Sequence, residues 1–258
     1  DNIVDIDDDE LYKGVKKRLA KAKNDVDKSI QEFEKDKSSI DRLKEKIIDI
    51  IINNTYKESL VSDIEKKVRE HADSDLNELL SNLYFNWGNN LGNVAGNKNS
   101  KQTTKLYNKA FEKYKKATII KPDLHQAYTN WGTHLGNLAK TKTGKDAEKL
   151  YTKAFEKYDM AIRIKPDNHD AYNNWGVYLG DFARTKSGKR AEKLYSEAFE
   201  KYKKAIQFKP DKYEAYYNWG NCLLDLADIK TGKEAEKLLL EAVEKYKKTT
   251  LIKPDEYD

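Results

Sequence analysis

The feature that most constrains this chain is a 44-residue period kept by all four tryptophans and all four prolines. Every tryptophan follows Asn and precedes Gly, and every proline stands in the string Lys-Pro-Asp. These residues are Trp87, Trp131, Trp175, Trp219, Pro122, Pro166, Pro210 and Pro254. Self-similarity at a fixed spacing of about 20–50 residues is typical of arrays in which each unit packs mainly on its neighbours. The period therefore predicts an extended array of repeats.

Each repeat is predicted to form two helices, A and B. In the second repeat, helix A covers residues 124–140, and helix B covers residues 145–164 after a turn that contains Gly144. Helix B ends before Pro166, because the residue preceding proline avoids the α region. Asp167 is expected to cap the next helix A. Apolar residues of helix B recur three or four apart on one face, as in Leu150, Ala154, Tyr158 and Ala161.

These repeats carry a recognisable signature. In the second repeat it consists of Tyr128, Trp131, Gly132, Leu135, Ala154, Tyr158, Ala161 and Pro166, and the other repeats match in the same order except at Thr249. The pattern resembles the tetratricopeptide-repeat (TPR) family, with about ten residues added to the family period of about 34. The resemblance implies an all-α, right-handed α-solenoid of four TPR-like helix-turn-helix repeats. A HEAT-like array has a similar period but would not supply this signature.

The sequence divides into three segments. Residues 1–8 form an acidic tail that we expect to be disordered, residues 9–73 form a helical extension, and residues 74–258 form the array. The repeats cover residues 74–122, 123–166, 167–210 and 211–255.

The extension has a heptad pattern, in which apolar residues lie seven apart at Tyr12, Leu19, Val26, Phe33, Ile40 and Ile47. It predicts one long helix, or a hairpin broken near residues 37–39. Ser62 with Glu65 predicts the start of a further helix, and Ser74 is expected to cap the first helix of the array. The extension is expected either to pack back on the array or to self-associate as a coiled coil.

Motifs for catalysis are missing from the sequence. The four histidines show no HExxH spacing, no GxSxG motif is present, and the Gly-Lys pairs lack the remainder of a phosphate loop. Cys222 is the only cysteine and has no obvious base nearby in the sequence. No apolar run approaches the roughly 18 residues of a membrane span. We therefore expect a non-enzymatic protein with no catalytic residue, cofactor or metal and no membrane partner, and the single cysteine weakly favours the cytoplasm.

The TPR resemblance implies that the A helices line a concave groove that binds a peptide or protein segment. Its candidate residues are Asn86, Asn89, Asn130, Thr133, Asn173, Asn174, Tyr217, Asn218 and Asn221. An amide side chain both donates and accepts hydrogen bonds and so matches a peptide group. The same residues could instead bond to neighbouring helices. A clamp for a C-terminal carboxylate is not expected, because the first groove position carries Asn82, Gln126, Asp170 and Glu214 rather than Lys or Arg.

Charge suggests a second candidate surface. Residues 1–75 have a net charge of −4 and the remainder has +9. A basic ridge at the turns comprises Lys142, Lys145, Lys186, Lys189, Arg190, Lys230 and Lys233. It predicts either binding of a nucleic acid or acidic partner, or only a solvated edge. A third alternative is a sensor or assembly fragment of a longer effector, because the chain stops where another helix A would begin.

Overall fold

A computed structural model describes residues 8–71, 73–96 and 100–254, and these residues form ten α-helices and no strand. The helices are α1 (Asp8–Asn53), α2 (Glu58–His71), α3 (Ser74–Gly96), α4 (Ser100–Ile120), α5 (His125–Lys140), α6 (Gly144–Ile164), α7 (His169–Arg184), α8 (Gly188–Phe208), α9 (Tyr213–Ala227) and α10 (Gly232–Ile252). The chain divides into two compact units, Asp1–Leu79 and Leu80–Asp258. No helix in the described ranges is both long and apolar enough to cross a membrane.

In the first unit, the heptad segment forms one uninterrupted helix, α1, without a break near residues 37–39. At this point in α1, Arg42 donates hydrogen bonds to both the carbonyl and the hydroxyl oxygen of Ser38 in the preceding turn of the same helix. The helix is followed by Asn54, whose φ of 52° is a conformation that ends helices. The predicted acidic tail lies outside the described residues except for Asp8, which begins α1. The heptad positions Tyr12 and Leu19 are described only as backbone of α1.

Three of the predicted caps are wrong. The helix α2 begins at Glu58, so Ser62 lies inside it. At the start of α3, Asp73 Oδ1 accepts a hydrogen bond from the Leu76 amide at 2.8 Å and replaces Ser74 as the capping side chain. At the start of α7, Asn168 rather than Asp167 accepts from the Ala171 amide, at 3.1 Å. In the last two cases the side chain lies one residue from the predicted one, because only that position points back at the free amides.

The array consists of consecutive helix pairs, and the predicted all-α TPR-type solenoid is confirmed. The three described turns between helix A and helix B each contain a glycine in the left-handed region, with φ between 55° and 60° at Gly144, Gly188 and Gly232. Side chains other than hydrogen are strained in that conformation, so each turn requires glycine. The helices α5 and α6 differ from their predicted bounds by one residue at their first positions.

Each helix pair is held by a tyrosine that crosses the partner helix at a glycine. A Cβ added at Gly176 would lie 2.6 Å from Cε1 of Tyr202, so only glycine fits at this crossing. Tyr114, Tyr158 and Tyr202 are completely buried by these contacts. The Trp-Gly step of the signature thus marks the point of closest approach between helix A and helix B.

The A helices form the inner layer of the array. The helices α5, α7 and α9 contact one another, whereas α6 and α8 do not approach each other in the described residues. The B helices α4, α6 and α8 each pack instead against the A helix of the next repeat. Helices on the inside of a curved stack lie closer together than those outside, so the exposed side of the A helices is the concave surface.

Candidate binding surface on the A helices

The predicted groove asparagines connect successive repeats through an amide ladder. The bonds are Asn130 Nδ2 to Asn89 Oδ1 at 2.9 Å, Asn174 Nδ2 to Thr133 Oγ1 at 3.4 Å, and Asn218 Nδ2 to Asn173 Oδ1 at 3.2 Å. Asn86 in the first repeat donates to the Asn82 carbonyl oxygen of its own helix. Every A helix thus has one half-buried asparagine side chain, and these hydrogen bonds fix the orientation of its amide group.

Tyrosine hydroxyls of the B helices form hydrogen bonds with groove residues from the side of the core. Tyr114 donates to Asn89 Oδ1 at 2.7 Å, and Tyr246 donates to Asn221 Oδ1 at 2.8 Å. Tyr158 Oη lies 3.0 Å from Thr133 Oγ1, and burial raises the pKa of Tyr158 well above its usual value, so its hydroxyl remains a donor. Sequence reasoning assigned these tyrosines to the core alone. Their constant spacing from the groove residue was the signal that could have revealed this second role.

The third repeat departs from this pattern because its groove residue is Val177. Tyr202 therefore has no groove oxygen to bond, and its Oη lies 3.7 Å from Cys222 Sγ in the next repeat. Burial raises the pKa of Cys222 to about 12, which keeps the thiol protonated and unreactive. Val177 also offers no acceptor to Asn218, which donates to Asn173 Oδ1 instead. Asn173 Nδ2 donates in turn to Asn174 Oδ1 at 3.1 Å.

The amide ladder leaves polar atoms available on the concave side. In the part of the chain that the structure describes, Oδ1 of Asn130 and Oδ1 of Asn218 accept no hydrogen bond from the protein. The Nδ2 groups of Asn89 and Asn221 likewise donate none, since both residues use only their oxygen. All four side chains are half-buried. The surface therefore presents fixed acceptors and donors of the kind that pair with a peptide group.

The residue that precedes each ladder asparagine differs from repeat to repeat. Phe85 packs against Tyr114 and Tyr217 against Tyr246, with ring centroids 6.4 and 5.9 Å apart. Tyr217 is 37% exposed. In the middle repeats the same position holds Thr129 and Asn173, both buried. The surface is thus aromatic in the first and last repeats and polar between them.

Ion pairs cross between repeats at both edges of this surface. At one edge, Arg184 binds Asp225 through Nη2 at 2.6 Å and also contacts Asp181, which lies 3.2 Å from Lys140 Nζ. At the other edge, Lys212 Nζ lies 2.8 Å from Asp170 and 3.6 Å from Glu214.

Lys212 stays charged although it is buried. Burial opposes the ammonium form, but hydrogen bonding and proximity to Asp170 and Glu214 outweigh it and raise the pKa of Lys212. The acidic residues at the first groove position are therefore partly neutralised within the array.

Much of the predicted basic ridge is engaged inside the array. Lys186 Nζ donates to Glu148 at 3.0 Å, Lys230 Nζ lies 3.0 Å from Glu192, and Arg190 also binds Glu148. Lys142 Nζ donates to Thr104 at 3.0 Å, at the equivalent position of the preceding pair. Three ridge residues are exposed and make no ion pair with the described residues, namely Lys145, Lys189 and Lys233. The ridge therefore consists of contacts between neighbouring repeats, with one exposed cation that forms no ion pair at each of the three described turns.

A lysine of helix B covers the tryptophan of helix A in every repeat. The ammonium-to-centroid distances are 3.8 Å for Lys113 and Trp87, 4.3 Å for Lys157 and Trp131, 3.6 Å for Lys201 and Trp175, and 4.1 Å for Lys245 and Trp219. A cation over an indole face is attracted by the ring quadrupole. Sequence reasoning missed these pairs, although each lysine stands at the same repeat position.

Histidines and carboxylates do not assemble into a metal site in the described ranges, where no group of three possible ligands comes together. His134 is 7% exposed and lies between Tyr107 and Tyr114, with ring centroids 5.7 and 6.0 Å away. Burial lowers the pKa of His134 to about 4. Its surroundings are those of a core residue.

The paired helices, the glycine crossings and the inner layer of A helices define a TPR-type array, a class of fold typical of protein-interaction scaffolds. Residues 126–217 match the profile of a family described as plant-specific mitochondrial import receptor subunit TOM20. No curated protein matches the chain.

Several solved structures are similar to this chain. The thermophilic TPR protein TTC0263 from Thermus thermophilus has 14% identity and a TM-score of 0.48, with 83% of this chain and 93% of that chain covered. MamA has 21% identity and a TM-score of 0.43, covering 76% of this chain and 91% of that chain. YrrB, described as a TPR protein with an unusual peptide-binding site, has 17% identity and a TM-score of 0.30, covering 74% of this chain and 93% of its own.

Proposed function

We propose that the concave surface of the A helices binds a segment of another protein, without catalysis. The observation that carries the proposal is the set of unused amide atoms on the ladder, at Asn89, Asn130, Asn218 and Asn221. The amides would hold the ligand backbone, while the variable neighbours would select its side chains. Phe85 and Tyr217 would favour apolar side chains at the two ends of the ligand.

Preorganisation supports this role. The ladder and the tyrosine hydroxyls already fix the direction of each amide, so little side-chain freedom remains to be lost when a ligand binds. Binding along several repeats would also add weak contacts into one specific interaction.

The matched family profile supports a protein-binding role. It covers residues 126–217, which include the ladder residues Asn130, Thr133, Asn173 and Asn174, and it describes a receptor subunit. A receptor requires a recognition surface, and these ladder residues belong to the concave one.

The basic ridge supports the alternative, an acidic or nucleic-acid partner, less strongly. Lys186, Arg190 and Lys230 are paired with carboxylates of the preceding repeat. Exposed Lys145, Lys189 and Lys233 recur once per turn, and one cation per repeat is a sparse contact for a phosphate backbone.

A peptide selection followed by matched variants tests the proposal. A phage-displayed library of random peptides would be selected on the full chain, and the affinity of an enriched peptide measured by fluorescence anisotropy. Asn130→Ala is expected to weaken binding about fivefold, the equivalent of one net hydrogen bond of about 1 kcal/mol. Asn108→Ala is the control, because it removes the same amide from an exposed position on the B helix α4 and leaves the ladder intact.

Two results would contradict the proposal. One is a library that yields no peptide binder. The other is a set of peptides that bind the Asn130→Ala chain and the unmodified chain equally well, since that would locate their site elsewhere.

A further inference from the structure

The outer face of α10 is apolar where the preceding B helix is polar. Leu240 is 64% exposed and Leu251 is 76% exposed, and Val243 beside them is 48% exposed. In α8 the positions equivalent to Leu240 and Leu251 hold Ser196 and Gln207. The equivalent of Val243 is Phe199, which is covered by Trp219 with ring centroids 6.1 Å apart. The last repeat therefore exposes an apolar patch that the third repeat does not have.

Helix geometry places this patch opposite the core. At about 100° per residue, Glu236, Leu240, Val243, Lys247 and Leu251 fall within one narrow stripe of α10. The buried residues Ala242 and Thr249 lie on the other side. All members of the stripe are exposed. We call these five residues the α10 stripe.

When two copies of the α10 stripe run antiparallel, the charges of one copy are complementary to the charges of the other. Glu236 precedes Leu240 by one helical turn and Lys247 follows Val243 by one turn. Neither Glu236 nor Lys247 forms an ion pair with the described residues, so both charges are uncommitted. A second α10 that runs in the opposite direction would place its Val243 against Leu240 and its Lys247 against Glu236.

Two-fold symmetry generates each of these contacts twice. In the same register, Leu251 meets Gly232 of the second copy, beside which an added Cβ would meet nothing within 4 Å. A parallel arrangement would instead bring Glu236 against Glu236 and Lys247 against Lys247. The charge order therefore selects the antiparallel pair.

We propose that the α10 stripe is a self-association surface that joins two copies of this chain through antiparallel α10 helices. The contact leaves the concave A-helix surface of both copies accessible, because the stripe lies on the side of α10 away from α9. One helix face on each copy is small for a specific interface, so a Kd of roughly 10 µM to 1 mM is expected.

Sedimentation velocity on the full chain, from about 1 µM to 1 mM, measures this association directly. The unmodified chain is expected to shift from monomer to dimer across that range. Leu240→Ser, which introduces the residue found in α8, should weaken dimerisation about tenfold or more. Ile119→Gln is the matched control, since Ile119 is 67% exposed but lies on α4.

Charge exchange tests the antiparallel register. Glu236→Lys alone and Lys247→Glu alone should each weaken dimerisation, because each places like charges opposite one another. The double variant should recover it. A mixture of the two single variants should form a heterodimer, since both of its symmetry-related pairs are again opposite in sign.

Three outcomes would overturn the proposal. The unmodified chain could remain monomeric throughout the range, which would leave the stripe to a different protein. Dimers could persist unchanged in Leu240→Ser, which would assign association to α1 or another surface. The double charge variant could fail to recover, with its folding confirmed by circular dichroism, which would exclude this register.

Discussion

At position 134, a histidine is held in its neutral form by aromatic neighbours. Its ring lies between Tyr107 and Tyr114, and its Nδ1 has no hydrogen-bond partner among the described residues. The side chain occupies the space above Gly92, where any Cβ would collide with the imidazole. The equivalent residue of the next repeat is Tyr178, packed over Gly136 in the same way. Position 134 thus accepts either aromatic ring but offers no partner for a charge.

The pH dependence of stability should report this histidine. Burial lowers its pKa from 6.5 to about 4, so the unfolded chain takes up the proton first as the pH falls. The contribution is fully present above pH 6.5 and decreases as the pH falls from about 6.5 towards 4, by about 2 kcal/mol between pH 7 and pH 5. Urea unfolding at both pH values measures this change.

His134→Tyr provides the control for that measurement, because tyrosine already occupies the equivalent position 178. The variant should lose the part of the pH dependence that is due to His134 and keep the part that is due to carboxylates. Equal pH dependence in both chains would contradict the assignment.

Between helix A and helix B, the hydroxyl of the buried tyrosine requires a partner on the concave side. The second repeat supplies Thr133, 3.0 Å from Tyr158 Oη, whereas the third supplies Val177, which has no polar atom. Threonine and valine have nearly the same shape. The two repeats therefore form a natural pair in which the hydrogen bonds of this position to the buried tyrosine and to the next ladder asparagine are present or missing.

Exchanging these residues should move stability in opposite directions. Val177→Thr gives Tyr202 a hydrogen-bond partner and should raise the free energy of unfolding by about 0.5–1.5 kcal/mol. Thr133→Val leaves the Tyr158 hydroxyl buried without its partner, also removes the acceptor of Asn174, and should lower the free energy of unfolding by about 1–3 kcal/mol. Urea unfolding of both variants is the measurement. A stabilising Thr133→Val or a destabilising Val177→Thr would show that the ladder is not what holds these pairs.

The helices were predictable from sequence because their limits depend on local chemistry. Proline ends the B helices, and glycine supplies the left-handed turn, as at Pro166 and Gly144. The bonds between repeats were not predictable in the same way. Asn130 could have faced a ligand, solvent or a neighbour, and only the stacking distance brings it to Asn89. The sequence likewise left open whether the heptad segment forms one helix or a hairpin, and the structure has one helix.

In the array as a whole, ion pairs connect the last two turns between helix A and helix B to the preceding B helix. Glu148 binds Lys186 and Arg190, and Glu192 binds Lys230. The hydrogen bonds from Lys186 and Arg190 lower the pKa of Glu148, which therefore stays ionised under neutral conditions. The high positive charge of the array is thus partly balanced at the ridge where it is concentrated.

Removing these two carboxylates should strengthen binding to a polyanion. In the double variant Glu148→Gln with Glu192→Gln, Lys186 and Arg190 lose their carboxylate partner, whereas Lys230 keeps Glu234 at 3.0 Å. Each released cation that contacts the polyanion should steepen the salt dependence of binding by about one in a double-logarithmic plot. Heparin affinity as a function of NaCl concentration measures this slope. The charge-matched control is Glu112→Gln with Glu156→Gln, at exposed positions in the interior of α4 and α6 that form no ion pair with the described residues. Equal slopes for both double variants would show that only net charge matters.

The lysine that covers each tryptophan has a spectroscopic consequence. All indoles of the chain belong to the array, one in each repeat, and each has an ammonium group within 4.3 Å of its centroid. The emission of an indole responds to a nearby cation and to water, so separation of the two helices of a repeat should change the emission of its own tryptophan. Variants that keep one tryptophan and replace the other three with phenylalanine would then contain a single reporter in a chosen repeat. Fluorescence could follow the opening of the array one unit at a time, without any added label.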